Sequence, residues 1–131
     1  MTANRSSWPA IPYEPWAETC TALHLWSQII GKYRLSLTPW INHSWHATLY
    51  VTPHGLSTGP VPDPGGSISV ELDFCQHQCV VEAEGGARRS FALAAMSVAR
   101  FYQQLAEAIE ALGGRFDVHG SPNEVEDPVP F

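Results

Sequence analysis

Two histidines in a His-x-x-His arrangement, His43 and His46, are the residues whose spacing first suggests metal or acid–base chemistry. Neutral imidazoles near Glu71 or Asp73 would offer the nitrogen and oxygen ligands that zinc or iron accepts. On a strand, a spacing of three points side chains to opposite faces, so His43 would have to lie in a loop. Histidines hydrogen-bonded on a polar surface are the favoured interpretation. We therefore predict no cofactor, with a metal at His43 and His46 as the alternative.

Two carboxylates and two cations complete a candidate catalytic set around His46. Glu71 and Asp73 stand two apart on a predicted strand, where close carboxylates raise each other's pKa toward neutrality. With His46 as acid or base, and Lys32 or Arg34 holding an anionic substrate, they would form a small hydrolase or isomerase site. Cross-strand charge pairs explain the same carboxylates and cations without catalysis, and this interpretation is favoured.

Two other groups of residues carry weaker signals. The segment from Cys75 to Cys79 reads CQHQC, but it lacks the second cysteine pair of a structural zinc site. A hairpin with two small apolar cysteines explains it better. Trp26 and Trp40 could line a ligand pocket, yet large aromatic side chains at such spacings more often fill a core. We favour the core for Trp26 and leave Trp40 open.

Two predicted helices must help to position these residues. Apolar residues recur at spacings of three and four over roughly residues 14–30, which predicts a helix that ends at Gly31 in a left-handed cap. Ser97 is a suitable N-cap for a second amphipathic helix, which Gly113 and the following glycine close.

Strands are predicted where polar and apolar residues alternate. Residues 32–37 would place Lys32 and Arg34 on a polar face, and residues 45–52 would place His46 on the same face. Further strands are predicted over residues 67–74, 79–84 and 89–93.

An α+β fold of two layers follows from this order of elements. An antiparallel β meander of four to six strands has one apolar face, and we expect both helices to be packed on that face because they are the available cover. The other face stays polar and would carry the candidate residues. We expect a single domain over residues 1–131, with an extended arm at 1–15, anchored through Trp8 and Tyr13, and an extended proline-rich tail at 120–131.

Composition narrows the classes of partner and the cellular location. The chain has 131 residues and a formal net charge of −6, and it lacks the lysine and arginine stripe that duplex nucleic acid requires. Its apolar runs fall short of the roughly 20 residues of a membrane helix. The 3 cysteines form no even disulfide framework, and the sequence opens without a basic and apolar leader. These features predict a cytoplasmic protein that binds neither nucleic acid nor membrane.

A series of short motifs follows in a fixed order along the chain. They are Trp8-Pro9, Leu23-His24-Leu25-Trp26, Gly31-Lys32, Arg34-Leu35, Asn42-His43, Trp45-His46, Thr48-Leu49-Tyr50-Val51, Asp73-Phe74, Phe101-Tyr102 and Pro128-Val129-Pro130-Phe131. In this order they resemble a bacterial family known as domain of unknown function 5996, over essentially the whole chain. The family is uncharacterised, so the resemblance implies no activity.

The resemblance implies a shared polar surface and a missing partner. Family members usually continue past the Pro-x-Pro-Phe segment with a second half of similar style, so we expect a homodimer or a second domain to supply that partner. The recurring polar positions of the motifs are His24, Lys32, Arg34, Asn42, His43, His46 and Tyr50.

We therefore predict a non-catalytic binding or interaction domain that self-associates or docks through its polar sheet face and its proline-rich arms. The alternative is the small enzyme built around His46. Any small ligand is expected to be anionic, and the predicted ligand-binding residues are Lys32, Arg34, Asn42, His43 and Tyr50.

Overall fold

The computed structural model describes residues 8–38 and 48–116. After one turn of 3-10 helix at Glu14–Trp16, helix α1 spans Ala17–Leu37. Five strands and a second helix follow. They are β1 (Tyr50–Val51), β2 (Gly55–Ser57), β3 (Ile68–Asp73), β4 (Gln78–Ala83), β5 (Arg88–Ala92) and α2 (Val98–Ala111).

The strands form one antiparallel sheet in the order of the sequence, β1-β2-β3-β4-β5. In the central pair, Val70 of β3 lies opposite Val81 of β4, and Leu72 lies opposite Cys79. Along β3 these inward residues are buried, and the residues between them are half-buried. The predicted meander of four to six strands is confirmed, and so is the α+β fold class.

Both helices cover the same face of the sheet. One buried cluster joins Ile29 of α1, Leu105 and Ile109 of α2, and the inward residues of β3 and β4. Trp26 of α1 stacks on Phe101 of α2, with ring centroids 5.0 Å apart and planes within 10°. Each large apolar side chain fully buried in this way contributes about 1.5–3 kcal/mol. The expected two-layer arrangement is therefore present.

Helix α1 is longer than the sequence pattern predicts. The predicted strand over residues 32–37 is wrong, because α1 continues through Gly31 to Leu37. The buried residues Ile30 and Tyr33 keep the three-residue spacing of a helical face beyond the glycine. The alternation of polar and apolar residues in this short segment fits a helix as well as a strand, and the continuous buried face selected the helix.

Helix α1 ends at Leu37, two residues before Pro39. Thr38 has an extended backbone with ψ 149°, because the ring of Pro39 disfavours the helical conformation in the residue before it. The Thr38 hydroxyl donates to the carbonyl oxygen of Arg34 at 2.7 Å, and the Ser36 hydroxyl donates to that of Tyr33 at 2.8 Å. These bonds engage carbonyl groups in the last turn of the helix.

Helix α2 begins and ends where the sequence predicts. The Ser97 hydroxyl oxygen accepts the backbone N–H of Arg100 at 3.1 Å, as expected of an N-cap. Gly113 has φ 83°, in the left-handed region, and its N–H donates to the carbonyl oxygen of Glu110 at 3.0 Å. Both predicted ends are confirmed.

Candidate functional site

Two predicted cations lie on a different element from the two predicted carboxylates. Lys32 and Arg34 belong to α1, whereas Glu71 and Asp73 lie on β3 at the positions that alternate with the buried ones. Lys32 is buried at 9 % exposure, and this burial lowers the pKa of its ammonium from the ordinary value because desolvation disfavours the charged form. The structure therefore does not present Lys32 on an open polar sheet face.

Asn42, His43 and His46 lie outside the described residues, so the metal hypothesis and the acid–base hypothesis stay predictions. Among residues 8–38 and 48–116, no three His, Cys, Asp or Glu side chains come together as metal ligands. Asp73 has a structural role in the turn after β3. One of its carboxylate oxygens accepts the backbone N–H groups of Cys75 and Gln76, each at 2.9 Å.

Arg34 connects the last turns of α1 to the edge strand β1. Its guanidinium lies over the ring of Tyr50, 5.0 Å from the centroid, and donates to the Tyr50 hydroxyl at 3.3 Å and to the carbonyl oxygen of Thr48. Tyr50 lies opposite Ser57, which in turn lies opposite Glu71. The predicted residues Tyr50 and Glu71 therefore share one cross-strand row with a strand between them.

A buried carboxylate, Asp63, holds the second half of α1 in place. One of its oxygens accepts the Tyr33 hydroxyl at 2.9 Å and the backbone N–H of Arg115 at 2.8 Å, and the other accepts that of Gly65 at 3.1 Å. Burial raises the pKa of the Tyr33 phenol above its ordinary value, and the hydrogen bond and the charge of Asp63 raise it further. The phenol thus stays a donor, and the cluster joins α1 to the β2–β3 loop and to the segment after α2.

An apolar pocket of about 500 Å³ lies beside the first half of α1. It is an open pocket that is bordered by α1, by the turn between β3 and β4, and by the segment 93–96 that links β5 to α2. We refer to it as the α1 pocket. Its volume is typical of pockets that bind small molecules or a partner's side chains. Its walls include Leu23 and Trp26 of α1, Phe74 and His77 of the turn, and Leu93 and Met96 of the link.

The turn and the link on one side of the α1 pocket are fixed to each other. The backbone N–H of Leu93 donates to the carbonyl oxygen of His77 at 2.7 Å. His77 itself has φ 54°, a left-handed conformation that few residues other than glycine adopt. These features hold His77 at the pocket wall, so the pocket is built by a defined backbone.

Trp26 connects the α1 pocket with the core. It is only 7 % exposed and stacks on Phe101, yet it also forms part of the pocket wall. Its indole N–H is buried and has no hydrogen-bond partner among the described residues. An unpaired buried donor costs about 1–3 kcal/mol. Among the described residues, the indole N–H of Trp26 is therefore a polar group that the core leaves unsatisfied.

The charge at the α1 pocket is negative. Among the described residues that line it, Glu18 carries the formal charge at neutral pH, and none is a lysine or an arginine. Thr19 and His77 add polar groups. Anions are disfavoured beside Glu18, so this pocket does not fit the small anionic ligand that Lys32 and Arg34 suggest.

An exposed apolar arm precedes the same end of α1. Trp8 is 95 % exposed, Ile11 is 73 % exposed and Tyr13 is 60 % exposed. The ring of Tyr13 meets that of Trp16 edge-on at 6.3 Å, which leaves most of its surface open. The expected anchoring of the arm through Trp8 and Tyr13 is not seen among the described residues.

A sequence signal for the α1 pocket lies in the apolar stripe of α1 and not in the polar residues. Thr19, Leu23 and Trp26 follow one another at spacings of four and three, and the buried positions Ile30 and Tyr33 continue the same stripe. The sequence pattern shows this stripe, but it does not show which of its residues the other elements of the fold bury. The favoured interpretation of Trp26 as a core residue is thus correct, but Trp26 also lines the α1 pocket.

Comparison with known proteins gives a family for this chain. Residues 8–131 match the model of a family of unknown function, DUF5996. No curated protein and no solved structure matches the chain. In the described part of the chain, no helix has the length and apolar character needed to cross a bilayer. The chain therefore belongs to the DUF5996 family.

Proposed function

We propose that this chain is a non-catalytic binding domain whose binding site is the α1 pocket. The observation that carries the proposal is the apolar volume of about 500 Å³ at the point where the buried stripe of α1 loses its cover. The fold leaves this apolar surface exposed in a concave site. A ligand that covers it lowers the free energy by about 25 cal/mol per Å² of apolar surface removed from water. The proposal keeps the predicted class of function and moves the site away from the polar sheet face.

The chemistry of the pocket wall defines the group that it would hold. Trp26 and Phe74 present aromatic rings, and Met96 adds a polarisable thioether that makes favourable contacts with rings. Glu18 favours a neutral or positively charged group over an anion. A ring-bearing, uncharged or cationic group therefore fits the α1 pocket best.

The proposal is tested by titrating the full chain with indole, benzylamine and benzoate while its backbone amide resonances are followed by NMR. Indole and benzylamine are expected to shift the amides of Leu23, Phe74 and Met96 with dissociation constants of about 1 mM, which corresponds to about 4 kcal/mol. Benzoate is expected to bind at least about tenfold more weakly, because it meets the carboxylate of Glu18.

Matched variants locate the site. Ala22→Phe fills the α1 pocket from the helix, and Ala99→Phe adds the same ring to an exposed position of α2. Ala22→Phe is expected to abolish binding of indole, and Ala99→Phe is expected to leave it unchanged. Indole binding that survives in Ala22→Phe, or shifts spread over the sheet instead of the pocket wall, would refute the proposal.

A further inference from the structure

We infer that the α1 pocket receives the N-terminal arm of a second copy of this chain, so that two copies exchange arms in a symmetric dimer. The inference rests on the proposed function, because it names the partner of the same pocket. Its starting observation is that an exposed apolar arm and an open apolar pocket lie at the same end of α1.

The arm has the composition of a segment that docks in an aromatic groove. Residues 8–13 read WPAIPY and contain no charged side chain. Pro9 and Pro12 fix φ at their positions, which reduces the entropy that the arm loses when it is ordered. Proline-rich extended segments bind in grooves lined by aromatic rings. The arm would bring Trp8 and Tyr13 to such a groove without desolvating a charge.

The lengths of the arm and the pocket wall agree. The pocket wall on α1 extends from Glu18 to Trp26, which is about 12 Å along a helix. Six residues in an extended proline-type conformation span about 15–19 Å. The arm is therefore long enough to lie along the whole wall and to place one of its two aromatic residues at each end.

The direction of the arm favours a second copy over the arm's own pocket. The arm joins α1 through the 3-10 turn at Glu14–Trp16, in which the Trp16 N–H donates to the Tyr13 carbonyl oxygen at 3.1 Å. The pocket wall continues forward along α1 from this turn, so the chain's own arm would have to reverse its direction before the turn in order to lie along the wall. The arm of a second copy meets no such constraint.

The surface that the exchange would bury is that of a small dimer interface. An aromatic side chain buries about 150–250 Å². Two aromatic residues from each of the two arms bury about 600–1,000 Å², and the pocket surface that they cover brings the total toward the lower end of a standard interface. Because each copy gives one arm and receives one, the contact is reciprocal and closes as a dimer.

The test measures the dimer dissociation constant of the full chain by sedimentation equilibrium. Trp8→Ala removes an arm anchor, and Ala22→Phe blocks the pocket. Each is expected to raise the dissociation constant at least tenfold, whereas Ala99→Phe is expected to leave it unchanged. Ala95→Phe fills the same pocket from the exposed link and checks the result if Ala22→Phe disturbs α1.

A mixing experiment makes the test specific for arm exchange. Trp8→Ala keeps an intact pocket and Ala22→Phe keeps an intact arm, so a mixture of the two can form one arm–pocket contact. The mixture is expected to associate more tightly than either variant alone. A dimer that persists in both variants, or a mixture that associates no better than its components, would overturn the inference.

The remaining outcomes separate the inference from the proposed function. If indole binds in the α1 pocket but the unmodified chain sediments as a monomer, the proposed function stands and the arm exchange is wrong. A monomer in which Trp8→Ala shifts the amide resonances of the pocket wall would show that the arm binds its own pocket, which also overturns the exchange. In a dimer the arm competes with indole for the α1 pocket, so indole is expected to bind Trp8→Ala more tightly than the unmodified chain. Absence of indole binding in Trp8→Ala would contradict the proposed function itself.

Discussion

The two halves of α1 carry one apolar stripe but differ in what covers it. In the second half, Ile29, Ile30 and Tyr33 are fully buried under the sheet and α2. In the first half, Leu23 is only partly buried and lines the α1 pocket. The periodicity is the same in both halves, so the difference arises from the elements around the helix and not from the helix itself.

The buried polar groups of the two halves differ in whether they have a hydrogen-bond partner among the described residues. The buried Tyr33 hydroxyl donates to Asp63, whose carboxylate also accepts two backbone N–H groups. The buried indole N–H of Trp26 has no partner among the described residues. A satisfied polar network makes one arrangement of the chain rigid, whereas an unpaired donor adds a cost. The comparison indicates that the second half of α1 holds the fold and leaves the first half available for binding.

The largest effect that tests this comparison is expected from Asp63→Ala. The substitution leaves one buried donor and two partly buried donors without their acceptor, so the free energy of unfolding should fall by about 3 kcal/mol. Urea denaturation measures it. Asp73→Ala is the matched control, because that carboxylate accepts two N–H groups in an exposed turn and should cost about 1 kcal/mol. Equal losses in the two variants would mean that the Asp63 cluster holds the second half of α1 no more strongly than an exposed turn is held, which would contradict its proposed role.

Two glycines show how much of the fold the sequence predicts. Gly113 follows an amphipathic run, has φ 83° and ends a helix, as the pattern indicates. Gly31 also follows an amphipathic run, yet α1 continues through it. A glycine permits the left-handed conformation but does not require it. The helix continues because Tyr33 is buried against the core and bonded to Asp63, a contact across 30 residues that no local pattern contains.

The candidate site was harder to predict than the fold for a related reason. The strands β3, β4 and β5 are set by local alternation and tight turns, which a sequence displays directly. The α1 pocket depends on where the turn after Phe74 and the link before Met96 meet α1. Long-range packing of this kind decides whether a residue such as Leu23 is covered, and periodicity alone does not include it.

The second effect is a dependence of stability on pH that Tyr33 controls. An unfolded tyrosine has a pKa of about 10, and burial first, then the hydrogen bond and charge of Asp63, raise the pKa of Tyr33 in the folded chain. The folded chain thus keeps a proton that the unfolded chain loses above about pH 10. The contribution is fully present below that pH and is lost above it, with a slope of at most about 1.4 kcal/mol per pH unit.

Tyr33→Phe should remove this alkaline slope and lower the free energy of unfolding by about 1–2 kcal/mol near neutral pH, since Asp63 loses one of its donors. Urea denaturation at several pH values between 7 and about 11 measures both effects. Burial also raises the pKa of the Cys79 thiol, so a decline that begins near pH 8.5 should remain in the variant. Tyr50→Phe, at an exposed ring, should keep the full slope, and loss of the slope there instead would contradict the assignment to Tyr33.

The smallest effect is expected at the other half of the helix, from Trp26→Phe. The substitution removes only part of the aromatic contact, because the smaller phenyl ring still faces Phe101. It also removes a buried N–H donor that has no partner among the described residues. The lost packing and the relieved donor oppose each other, so the free energy of unfolding should change by less than about 1 kcal/mol. Phe101→Ala removes the stacking partner without relieving any polar group and should cost about 3–5 kcal/mol. A loss above about 2 kcal/mol in Trp26→Phe would mean that the first half of α1 supports the fold as strongly as the second, and the division of the helix into a holding half and a binding half would be wrong.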